Sequence, residues 1–167
     1  MREEVRHKMG AASKAQNNIY YRARIAAAQH NDDLSSREKA AFVLGIDRTK
    51  LARIELDLVI PFPEEVRLMA DCYNAPELLN YHCTHDCPIG CCTMAKADLR
   101  SIEQIALRSY GVLQNAQEIR EALIDIAADG VIDAGERPRV AEILQQLKDI
   151  GQVADELTIL AKKIGIQ

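Results

Sequence analysis

The chain has 167 residues, of which 48% are hydrophobic and 28% charged, with a formal net charge of −4. That balance excludes a disordered chain, and no apolar run approaches the ~20 residues that cross a bilayer. Aromatic residues make up 4% and Trp is absent, so the core must be aliphatic, which favours helices. The opening residues MREEVRHKMG contain no apolar signal core, and a cytoplasmic location is expected. The charge is unevenly spread. Residues 1–75 hold 12 Lys and Arg against 11 Asp and Glu, while residues 76–167 hold 9 against 14. The C-terminal half therefore repels polyanions, and any phosphate-bearing partner belongs to the N-terminal half.

In chain order, residues 1–16 form a polar arm. Arg2, Arg6, Lys8 and Lys14 could reach phosphates, although a frayed leader is the plainer reading. Residues 17–29 read as a helix with Ile19, Ala23, Ala26 and Ala27 inward, followed by a polar loop from His30 to Asp33. The stretch SREKAAFVLGIDRTKLARIE, residues 36–55, is the most strongly patterned. Ser36 is an N-cap, with acidic Glu38 in the first turn, and Ala40, Ala41 and Leu44 make an apolar stripe. Gly45 ends this short helix, because glycine adopts a left-handed backbone without a Cβ clash. Asp47 caps a second short helix whose Leu51 and Ile54 face inward. Arg48, Thr49, Lys50 and Arg53 are left outward, a cationic and hydroxyl face that suits the major groove of double-stranded DNA. After a loop at 56–62, Pro63 opens a fourth helix with Glu64 and Glu65 at its positive end and Val66, Met69 and Ala70 inward. A short fifth helix follows Pro76, and the domain should end near Tyr81.

Ala41, Gly45, Ile46, Leu51 and Ile54, continued by Glu55, Pro61, Val66, Met69 and Ala70, carry a family resemblance. The stretch from about 17 to 80 resembles the helix-turn-helix domain of Xre/Cro-type phage repressors. The resemblance implies a DNA-binding domain over 17–81, contacting DNA through Ser36, Arg37, Arg48, Thr49, Lys50 and Arg53. Arg48 and Arg53 are expected to read base edges, and Lys50 and Arg37 to grip phosphates. Family members often carry Gln where this chain has Arg37. With little net positive charge in this half, one head would bind weakly, so a homodimer on two half-sites is expected.

Residues 82–97, HCTHDCPIGCCTMAKA, read as a Cys/His-rich linker. Thiolates and imidazoles suit zinc or an iron–sulfur cluster, with Cys83, Cys87 and Cys91 as the candidate ligands. Paired C-x2-C knuckles are missing, however, and small residues packing a neck is the preferred reading, with a redox switch as a third. Residues 98–167 form two long helices. Ile102, Ile105, Ser109, Val112, Ala116, Ile119, Leu123 and Ile126 keep an a/d repeat, as do Val140, Ile143, Leu147, Ile150, Ala154, Leu157, Ala161 and Ile164. Leu99, Ala106, Leu113, Leu144, Val153 and Leu160 fall off that seam, and a two-helix hairpin cannot bury two stripes. A second copy, completing a four-helix bundle, is expected to cover them. The turn at 125–136 has the outline of a calcium loop in Asp125, Asp129, Gly130, Ile132, Asp133 and Glu136. Its third position is Ala127, though, and helix capping explains the same residues, so calcium is disfavoured. No nucleophile–base pair or phosphate loop stands out, so an enzyme is not expected. The expectation is an all-α chain, a five-helix repressor-like helix-turn-helix domain followed by a long antiparallel helical hairpin. Its expected role is that of a sequence-specific DNA-binding transcriptional regulator, a homodimer with no cofactor and no membrane partner. The alternatives are a protein-interaction adaptor, or an antitoxin whose hairpin holds a partner protein.

Overall fold

All regular structure among the described residues is helical. The computed structural model describes residues 15–128 and 130–166, so Arg2, Arg6, Lys8, Lys14 and Asp129 lie outside the described residues. The chain separates into two units, residues 1–94 and 95–167.

The first unit contains α1 (Ile19–Ala28), a 3₁₀ turn (Asp32–Leu34), α2 (Arg37–Leu44), α3 (Arg48–Glu55), α4 (Pro63–Cys72), α5 (Glu77–His85) and α6 (Gly90–Thr93). Its helix ends follow the expected chemistry. The Lys39 amide donates to the Ser36 hydroxyl at 3.2 Å, and the Lys50 amide donates to Asp47 at 2.9 Å. Gly45 takes a φ of +66°, the left-handed value a helix stop requires. The expected inward residues of α2, α3 and α4 are all buried: Ala40, Ala41, Leu44, Leu51, Ile54, Val66, Met69 and Ala70. Leu34, Tyr73 and Leu78 complete their core.

Helix α1 departs from the expected face. Tyr20 and Arg24 are buried, Ile19, Ala23 and Ala27 only partly so, and Ala26 is exposed. The rotation follows from hydrogen bonding. Arg24 meets a buried carboxylate, Glu55, and the Tyr20 hydroxyl donates to Asp86 at 3.1 Å. Asn18 fixes the start of α1 by accepting from the Tyr21 amide at 2.8 Å. It also donates to the Ile54 carbonyl at 2.8 Å and to Asp57 at 2.7 Å.

The segment expected to be a linker from residue 82 starts as helix, because α5 runs to His85. It folds back through α6, and the first unit extends to Met94. Gly90 permits this return. A Cβ there would lie 2.1 Å from the Cys83 carbonyl oxygen, so only glycine allows the two backbones to touch.

The second unit contains α7 (Ile102–Leu113), α8 (Ala116–Ile126) and α9 (Arg137–Lys163). The expected first long helix is therefore interrupted at Gln114 and Asn115. Asparagine competes with helical hydrogen bonding and, with Gly111 one turn earlier, makes this the weakest point of the run. Helix α7 lies against α9. Ile105, Ile119, Ile143, Val153 and Ile159 are buried, as is Glu156, which has no exposed surface. The expected seam is buried only in part, at Ile105, Ile119 and Ile143. Leu147 and Leu157 are 45% and 47% exposed, and Ile102, Leu123 and Ile164 are exposed too, whereas Val153 faces inward. Arg100 and Arg108 both bind Glu156, and this turns the Val153–Glu156–Ile159 face of α9 inward. Among the described residues, no helix is long and apolar enough to cross a membrane.

Two glycines provide a contrast. Gly90→Ala should lower the unfolding free energy by about 1–3 kcal/mol, because α6 must separate from α5. Gly111→Ala, with open space around its Cβ, should raise it by about 0.5–1 kcal/mol through helix propensity. Urea denaturation of the two variants beside the parent chain measures both signs.

Candidate nucleic-acid interface

Helix α3 has one face that is wholly buried and one that is free. Leu51, Ile54 and Glu55 have almost no exposed surface. A lone buried carboxylate would be costly, and Glu55 is instead fully paired. Arg24 donates from Nε to Oε1 at 2.6 Å and from its second terminal nitrogen to Oε2 at 3.1 Å. Arg37 donates from Nε to Oε2 at 2.6 Å. Arg24 also reaches the Leu34 carbonyl at 3.0 Å, so α1, α2, α3 and the 3₁₀ turn all join at this one carboxylate. Both guanidinium groups lie near the Tyr21 ring, at 5.4 and 6.0 Å from its centroid. Burial opposes the charge on Arg24, but the bonds to Glu55 and its negative charge outweigh burial and raise the pKa of Arg24. Burial, and after it the charge of Glu55, pushes the Tyr73 hydroxyl well above its ordinary value.

The six residues expected to contact DNA fall into two groups. Arg48, Thr49 and Arg53 are exposed on α3, and among the described residues their side chains have no hydrogen-bond or ion-pair partner. Thr49 and Arg53, four residues apart, share a face, and Arg48 stands in the first turn. Ser36, Arg37 and Lys50 have structural duties. Ser36 caps α2. The Nε of Arg37 is held by Glu55, leaving its terminal nitrogens for an outside acceptor. Lys50 lies 2.5 Å from Glu65 and 4.1 Å from the Phe62 ring centroid, so a phosphate there must compete with a carboxylate. Of the network Arg24–Glu55–Arg37, only Arg37 is among the expected site residues, and there as a phosphate contact. The signal for it is spacing: Glu55 lies four residues after inward Leu51 and so must share its face.

The other candidate centres are placed as follows. Cys83 and Cys87 are half-buried, Cys91 and Cys92 exposed, and all are free thiols. The Gly90 amide donates to the Cys87 sulfur at 3.4 Å. Among the described residues, no group of three or more His, Cys, Asp or Glu is arranged to hold a metal ion. In the 125–136 turn, Asp133 accepts from the amides of Gly135 and Glu136 at 2.7 and 2.9 Å. Glu136 accepts in return from the Asp133 amide at 3.0 Å. These bonds close the turn ahead of α9, and they engage oxygens a cation would need.

The two groups of cations should separate in stability. Arg37→Ala removes a charged hydrogen bond to a buried oxygen and should cost about 1.5–3 kcal/mol of unfolding free energy. Arg48→Ala and Arg53→Ala should stay within about 0.5 kcal/mol of the parent. Chemical denaturation followed by circular dichroism reads all three. No protein-family model, curated protein or solved structure matches the chain.

Proposed function

We propose that the chain is a sequence-specific DNA-binding transcriptional regulator, acting as a homodimer. In this reading α2 and α3 form a helix-turn-helix of the Xre/Cro repressor type, and α3 enters the major groove. One observation carries it: among the described residues, Arg48, Thr49 and Arg53 stand free on a helix whose opposite face is locked into the core through Glu55. Cations with no internal partner, on a rigid support, are what base reading requires, since an arginine fork pairs with the two acceptors of guanine. Arg37 and Lys50 then make the backbone contacts that set register. The second unit supplies the dimer contact. Its a/d stripe through Leu147, Leu157 and Ile164 stays exposed in the single chain, a patch that water disfavours and a second copy would cover. Two heads about a two-fold axis would then meet half-sites roughly 34 Å apart.

Selection from random-sequence DNA should yield a recurrent, two-fold symmetric site. Arg48→Ala and Arg53→Ala should each lose about 1–3 kcal/mol of preference for that site, with circular dichroism unchanged. Enrichment of no site, or full specificity in both variants, would refute the DNA reading.

The dimer is tested separately. The parent chain should sediment at twice its 18.6 kDa mass, and Leu147→Asp with Leu157→Asp should return it to a single mass without unfolding. A parent that stays monomeric at micromolar concentration contradicts the homodimer.

A further inference from the structure

The outward side of α2 has an apolar feature that the proposed contacts of Arg37, Arg48, Thr49, Lys50 and Arg53 do not use. Ala40, Ala41 and Leu44 are turned into the core, and Phe42 and Val43 point away from it. Phe42 is 89% exposed, an unusual position for so large an apolar side chain, and Val43 beside it is 44% exposed. Single exposed apolar residues are common on protein surfaces, but these two line a groove of about 630 Å³. Asp33 from the 3₁₀ turn, with Ser36, Glu38 and Lys39 from α2, forms its remaining walls.

The charges around the groove are unbalanced. Lys39 is neutralised by Asp32, to which it is hydrogen-bonded. Lys39 also feels the charge of Asp33, and Glu38 forms no ion pair among the described residues, so Asp32, Asp33 and Glu38 stand against one ammonium. An apolar wall flanked by three carboxylates against one ammonium repels nucleic-acid phosphates and acidic proteins alike. It repels the second unit of another copy for the same reason, since residues 95–167 carry 12 acidic against 9 basic residues. What it complements is a surface with apolar and cationic residues side by side, as on one face of a basic amphipathic helix.

We infer that this groove docks a basic amphipathic helix of a partner protein. An apolar residue of that helix covers Phe42 and Val43, and Lys or Arg side chains face Asp33 and Glu38. The inference goes beyond DNA binding and does not depend on it.

The test uses the full chain, without DNA, and two fluorescent 18-residue helical peptides. Both have leucine on one face, and the other face is lysine in one peptide and glutamate in the other. The lysine peptide should bind at least about tenfold more tightly, with the advantage shrinking as salt rises. Phe42→Ala should weaken it about tenfold or more. The double variant Asp33→Lys with Glu38→Lys should reverse the preference towards the glutamate peptide, a gain that misfolding cannot mimic. Leu147→Asp with Leu157→Asp should leave binding unchanged, which separates the groove from the apolar stripe of the second unit. Equal binding of both peptides, indifference to Phe42→Ala, or no reversal in the charge-swapped variant overturns the inference. A fall in the mass of the peptide-free chain on Phe42→Ala also overturns it, because the groove would then hold a second copy.

Discussion

The first unit depends on one buried carboxylate. Glu55 sits at the end of α3 with no surface in water, a position that would be untenable unpaired. Arg24 and Arg37 occupy both of its oxygens, and Arg24 carries the contact on to the Leu34 carbonyl. Four elements are thereby referred to one point. An apolar residue of similar size at position 55 would fill the space, but it would fix neither the rotation of α1 nor the approach of α2. Two arginine forks on one carboxylate have few satisfactory geometries, so the network defines orientation more than it adds net stability.

The second unit repeats the device in a less complete form. Glu156 is equally buried, and Arg100 and Arg108 both approach the same oxygen, Oε1. Its Oε2 has no hydrogen-bond partner among the described residues. Gln152 ties the group together, accepting from Arg108 at 3.1 Å and donating to the Lys96 carbonyl at 2.6 Å. An orphaned buried oxygen costs on the order of 1–3 kcal/mol, a penalty that the fully paired Glu55 avoids. With Leu147 and Leu157 left in water, its fold makes less complete use of its sequence than the first unit does.

The cations on the first unit follow a division of labour that the buried charges impose. Arg24 and Arg37 are drawn to Glu55, and Lys50 to Glu65 and Phe62. Among the described residues, Arg48 and Arg53 have no such partner. In the proposed DNA-binding reading α3 must both dock and recognise, and it needs this separation because a guanidinium committed to an internal carboxylate has fewer donors to offer a ligand. The acidic groove beside α2 adds a second kind of surface to the same small unit.

Much of the first unit was legible in its residues. Ser36, Gly45, Asp47 and Pro63 place the starts and stops of α2, α3 and α4, because capping is local chemistry within four residues of the helix end. The inward stripes of those helices follow from a 3.6-residue period, which is local too. The all-helical class follows from an aliphatic composition with this periodicity. Everything that required knowing which partner a side chain meets lay beyond the sequence. The burial of Arg24 in place of Ala26, the pairing of Arg37, and the exposure of Leu147 and Leu157 despite their heptad spacing each hang on a residue 18 to 56 positions away. A buried charge outweighs several apolar side chains in choosing a helix face, and whether its counter-charges arrive is decided only when the chain has folded.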